Sequence, residues 1–142
     1  MEGLFTVSGT IVPGKRLGSL LGYPTANLAY PHHANLPQNG VYIAAARLDG
    51  EEEQLAILNQ GTHPTAPEGP PTLEAHLPGY AGGDLYGRRI TLSYLLFLRP
   101  EIPFPTLEAL KTQLSQDRET ALAWAEKKAP ELLKSTQNEV NP

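Results

Sequence analysis

The sequence predicts a mainly β protein, a small antiparallel barrel with a helix packed against it at the C-terminal end. Three observations carry this expectation. Apolar and polar residues alternate in short runs over most of the first hundred positions, as strands with one buried face require. Thirteen glycines and fourteen prolines punctuate those runs instead of forming one tract, which marks tight turns between many strands. Beyond residue 105 the apolar spacing lengthens to that of a helix. Five or six strands followed by one or two helices suit a sheet that closes on itself and so removes its edges.

The first alternating run is LFTVSGTIV, residues 4–12. A glycine-rich loop follows through Gly14, Gly18 and Gly22 and ends at Pro24 and Thr25. Residues 29–40 are irregular, and Asn39 with Gly40 signals a turn into VYIAAARL, residues 41–48. DGEE at 49–52 reads as a hairpin tip, with QLAILN at 54–59 as the returning strand. Four prolines in residues 61–71 make that segment a stiff loop, and its composition and position suit a lid. TLEAHL at 72–77 alternates again, with Glu74 and His76 opposite Leu73, Ala75 and Leu77. Residues 78–87 are a turn region, and RRITLSYLLFL at 88–98 is the longest and most apolar strand. Leu107, Leu110, Leu114, Ala121 and Trp124 then share one helical face. Thr106 is placed to cap that helix, Glu108 complements its dipole, and Pro130 ends it. This stripe is expected to be core, and Arg99 and Asp117 to pair where barrel meets helix. One domain over residues 1–130 and a tail over 131–142 complete the expected organisation.

Composition excludes several classes of function. The net charge of −4 disfavours nucleic acid, whose backbone demands a basic face. No cysteine is present, which removes disulfides, thiolate metal sites and thiol nucleophiles and fits a cytoplasmic protein. No apolar run approaches the roughly 18 residues of a membrane helix, and MEGLFTVSG lacks the features of a secretory signal. A soluble protein without a membrane partner is expected. His32, His33 and His63 lack metal-ligand spacing and are expected in solvent. Tyr86 is expected to be core.

The blocks SGTIVPGKRLGSLLGYPTANL (8–28), LPQNGVYIA (36–44), NQGTHPT (59–65), LEAHL (73–77), GDLYGR (83–88) and FLRPEIPFPTLEAL (97–110) carry more than pattern. In this order they resemble riboflavin kinases, above all the kinase module of the bacterial bifunctional riboflavin kinase/FAD synthetase. The resemblance covers about residues 5–125, and its PTAN block is highly specific. It implies a six-stranded Greek-key β-barrel with a C-terminal helix. It further implies transfer of the γ-phosphoryl group of ATP to the 5′-hydroxyl of riboflavin, giving FMN and ADP.

Carried over residue by residue, the family's metal ligands fall on Thr25 and Asn27. Pro24 fixes the backbone there, and residues i and i+2 of an extended segment project to one side. Hydroxyl and amide oxygens are hard, neutral donors suited to Mg²⁺, with Mn²⁺ or Zn²⁺ as alternatives. Most of the balancing charge then comes from the ATP phosphates. Gly14, Lys15, Arg16 and Gly18 are the implied phosphate-binding loop, where glycines let backbone N–H groups approach closely. That loop lacks Walker A spacing and points to nucleotide only beside PTAN. The implied catalytic base is Glu74; without the resemblance it reads as an ordinary exposed strand glutamate. His76, on the same face, is expected to hold or tune it, or to make a structural hydrogen bond.

Three departures from the family pattern stand out. Ser19 occupies a position that is usually arginine, Gln60 replaces an apolar residue, and His63 replaces an arginine. A glutamine at a strand end is satisfied by water if it is not fully buried. No H-x-G-H motif occurs, so FAD synthesis is expected of a separate or missing FAD synthetase domain. The alternative reading of the same barrel is a non-catalytic module that binds flavin or nucleotide.

Overall fold

In the computed structural model, residues 5–12, 24–29, 36–61 and 72–133 are described. Six strands run in chain order: β1 (Phe5–Thr10), β2 (Thr25–Ala29), β3 (Gly40–Leu48), β4 (Gln54–Gly61), β5 (Thr72–His76) and β6 (Arg89–Arg99). They form a single sheet in the order β1-β6-β3-β4-β5-β2, and every neighbouring pair is antiparallel. Strands β3, β4 and β5 follow one another as a meander, and β6 returns beside β3. That is the Greek-key arrangement. The sheet curls until the chain just past β1 meets β2, through the backbone bond from Val12 N to Asn27 O of 2.8 Å. Among the described residues this bridge joins the two edges of the curled sheet, in keeping with the expected barrel.

Strand β1 shows why alternation was legible. Phe5, Val7 and Gly9 are half-buried while Thr6, Ser8 and Thr10 are exposed. Strand β3 is different, because every residue but Arg47 is buried. It is covered on both faces. Inside the curl, Tyr42, Ala44 and Ala46 join Leu58, Leu73 and Leu92 in the main core. Tyr42 and Tyr94 meet edge to face there, with ring centroids 4.9 Å apart. Gln60 is fully buried among them. It is satisfied by protein and not by water: its amide donates to Pro37 O at 2.7 Å and Asn39 Oδ1 at 3.2 Å, and its Oε1 accepts from Tyr94 OH at 2.6 Å.

On the outer face, Val41, Ile43, Ala45, Leu55 and Ile57 pack against α1 (Leu107–Lys128) and the 3₁₀ turn Pro130–Leu133. Thr106 caps α1 as expected, its Oγ1 accepting from Ala109 N at 3.1 Å. Leu110, Leu114, Ala121 and Ala125 are buried along one side, and the alanines let the helix approach the sheet closely. Leu107 departs from the expected stripe: it is 54% exposed, at the first helical position before the helix reaches the sheet. Leu132 and Leu133, beyond Pro130, are buried in the same outer cluster. The helix is tied down by Asp117, whose carboxylate accepts from Arg99 Nε at 3.1 Å and Nη2 at 2.8 Å. This is the ion pair the sequence predicts.

Candidate active site

Strand alternation determines what faces α1. Ala26 and Leu28 of β2 and Leu73 and Ala75 of β5 point into the main core. Thr25, Asn27, Glu74 and His76 therefore stand on the opposite, outer face. Register then aligns them. Asn27 lies opposite Glu74, Thr25 opposite His76, and on the other side of β5 Asn59 of β4 lies opposite Glu74. Val41 and Arg99 continue the row across β3 and β6. One rung of the sheet thus reads Asn27, Glu74, Asn59, Val41, Arg99.

The polar side chains of β2 and β5 are unusual in their burial. Glu74 is 3% exposed, Asn27 2% and His76 4%. Polar groups so far from water need partners. Thr25 Oγ1 lies 3.2 Å from His76 Nδ1, and His76 Nε2 lies 3.4 Å from Glu74 Oε1. With the proton on Nε2 facing an ionised carboxylate, Nδ1 is the acceptor and the Thr25 hydroxyl donates to it. His76 thus links the two residues.

The same chemistry tests whether a cation fits. A threonine hydroxyl is a hard, neutral oxygen donor of the kind a divalent cation accepts. Asn27 Oδ1 is buried and makes no hydrogen bond among the described residues, an orphaned acceptor of the kind a hard cation completes. Among the described residues no cluster of three or more His, Cys, Asp or Glu side chains is arranged for a metal. The donor set at β2 is neutral, as the sequence implies, and the residues fit.

Two clefts lie beside Thr25 and His76. One opens beside Pro24 and Thr25 and is lined by Tyr80, Asp84, Leu85 and Tyr86 of the β5–β6 connection. Tyr86 is 41% exposed on it and is not core as expected. The turn around Gly87, with φ of 82°, carries the residue outward while Leu85 takes the buried place. The other lies between β5 and α1, where Ile57, His76 and Pro78 face Leu114 and Arg118. Gly14, Lys15, Arg16, Gly18, Ser19, His32, His33 and His63 lie outside the described residues, as do residues 62–71 of the expected lid. Sequence reasoning missed Asn59. Its signal was its phase, since it alternates with Leu55 and Ile57 on the outward side of β4.

The family model for riboflavin kinase, named Flavokinase, matches residues 1–125. A bifunctional riboflavin kinase/FMN adenylyltransferase of Pseudomonas fluorescens is 39% identical over 122 residues, which is 85% of this chain and 38% of that protein. Among solved structures, one titled a macrolide-efflux protein from Streptococcus pneumoniae superposes with a TM-score of 0.72 at 26% identity. The match covers 84% of this chain and 38% of that one. The crystal structure of riboflavin kinase from Trypanosoma brucei superposes with a TM-score of 0.63 at 21% identity, over 92% of this chain and 87% of its own; at that identity the likeness is one of fold. The Greek-key sheet and its buried row of polar side chains lie within the residues that the riboflavin kinase model matches. The chain belongs to the riboflavin kinase family. It spans well under half the length of the bifunctional relatives it matches.

Proposed function

We propose that this chain transfers the γ-phosphoryl group of ATP to the 5′-hydroxyl of riboflavin, releasing FMN and ADP. The observation that carries the reading is Glu74, a carboxylate held out of water between Asn27 and Asn59 and joined through His76 to Thr25. Phosphoryl transfer through a loose transition state asks little basicity of the protein. It asks for a carboxylate that orients the alcohol and finally accepts its proton. Glu74 stands on an interior strand of the sheet, with His76 Nε2 3.4 Å from one of its oxygens.

Thr25 and Asn27 would hold Mg²⁺, with Mn²⁺ or Zn²⁺ as substitutes, and the cation would supply charge stabilisation to the transferring phosphoryl group. Gly14, Lys15, Arg16 and Gly18 are assigned to the ATP phosphates, and Pro24 to fixing the strand that follows. The cleft beside Thr25 lies on the nucleotide side. Acceptor and product are small molecules; the net charge of −4 supports neither nucleic acid nor an anionic membrane as partner. No helix among the described residues is long and apolar enough to cross a membrane. The lack of cysteine goes with a cytoplasmic location. The FMN formed would be the substrate of an FMN adenylyltransferase, the second activity in the names of the bacterial relatives.

The test is incubation with riboflavin, ATP and Mg²⁺, with FMN followed by chromatography. FMN that requires both ATP and the cation is the expected result. Flavin or nucleotide binding with no product across metals and pH would replace the kinase with a non-catalytic binding module.

A further inference from the structure

We propose that Asn59 positions the acceptor, its side-chain oxygen accepting a hydrogen bond from the riboflavin hydroxyl next to the one that is phosphorylated. The proposal rests on the kinase reading and extends it to a residue on a third strand.

Asn59 Oδ1 is shielded from solvent and makes no hydrogen bond among the described residues. A buried amide oxygen without a partner is costly and calls for an explanation. Asn27 Oδ1 shares this condition, yet the two asparagines cannot serve the same ligand. They flank Glu74 on opposite sides of β5, and two strand spacings separate them by roughly 10 Å. Side chains stand roughly upright on a sheet. An ion gripped by Thr25 and Asn27 therefore lies over β2, with Glu74 between it and Asn59.

The two sides of Glu74 thus differ in task. The β2 side carries the cation donors and the Tyr86 cleft. The β4 side carries Asn59, then apolar Val41, then Arg99, which is already engaged by Asp117. A nucleotide on the first side leaves the alcohol to arrive over the second. The ribityl chain is a polyol, and a hydroxyl beside the reacting one falls about one strand spacing from Glu74. A neutral amide oxygen suits it. It accepts from a hydroxyl without adding negative charge near the transferring phosphoryl group.

Three measurements decide it. Asn59→Ala is expected to lower kcat/KM for riboflavin about tenfold, the value of one lost neutral hydrogen bond, while the Kd for Mg·ADP stays within about twofold. With 4′-deoxyriboflavin, the unsubstituted protein should lose the same factor, and Asn59→Ala should lose nothing further. A merely structural asparagine would not produce that match. Riboflavin binding in the presence of Mg·ADP, read by quenching of flavin fluorescence, repeats the comparison without turnover. An inactive protein would overturn the kinase reading while the binding result still decides Asn59. If Asn59→Ala fails to fold, Asn59→Ser keeps an oxygen and should bind riboflavin better than Asn59→Val. Loss of Mg·ADP affinity in the substituted protein, or equal discrimination against the deoxy analogue with and without Asn59, would overturn the proposal.

Discussion

At the scale of single residues, the site is a rank of buried polar side chains on a surface otherwise devoted to packing. Glu74→Gln keeps shape and burial but removes the proton acceptor. Turnover should fall by at least about 10², with Mg·ADP affinity nearly unchanged; if both collapse, Glu74 is a structural group. Thr25→Val is nearly isosteric and removes one donor, so the Mg²⁺ concentration at half-maximal rate should rise several-fold, with little change in the KM for riboflavin. A rise in the riboflavin KM alone would move Thr25 out of the cation site. Much of this site was legible in the sequence. Thr25 with Asn27, and Glu74 with His76, are pairs at i and i+2, and strand periodicity alone puts each pair on one face. Spacing along one chain is silent about what comes opposite. The facing of Asn27 and Glu74 is a property of register, and Asn59 joins them only because β4 lies on the far side of β5. Nor does alternation show which outer-face residues end up shielded from water, which is why an unremarkable strand glutamate turns out to be 3% exposed.

At the scale of elements, α1 is attached by few but specific features. Its buried side combines Leu110, Leu114, Ala121 and Ala125 with one charge, Asp117. Asp117→Ala would leave Arg99, only 16% exposed, beside Phe104 without its counter-ion. The expected loss is about 3 kcal/mol, near the low end for broken buried pairs because Arg99 keeps some contact with water. Denaturant unfolding measures it, and a loss below about 1 kcal/mol would show that the pair contributes little. Thr106→Ala should cost about 1 kcal/mol through the lost cap, with no change in kcat. The helix and its cap were readable from the leucine spacing and one threonine. The fate of Tyr86 was not, since the apolar pattern around it could not show that Leu85 would be the residue turned inward.

At the scale of the whole molecule, two cores share one sheet, and the interior of the curl is solid. Tyr42, Tyr94 and Gln60 fill it, with Tyr94 OH donating to Gln60 and Tyr42 OH to Gln38 O, so the proposed ligands would meet the outside of the barrel. Saturating Mg·ADP at about 100 times its Kd should add about 2.7 kcal/mol and raise Tm by roughly 6–10 °C for a chain of this size. Asn27→Ala should abolish most of that shift, whereas an unchanged shift would remove Asn27 from the nucleotide site. The strand succession was legible from the periodicity, but the seam was not, because among the described residues the two edges meet through the link between Val12 and Asn27. That link has a practical corollary. It clasps the chain on both sides of residues 13–26, and Leu77 N fastens Pro24 O at 2.9 Å just inside it. Removing the Val12 donor, as in Val12→Pro, should therefore weaken the seam where the two outer strands meet.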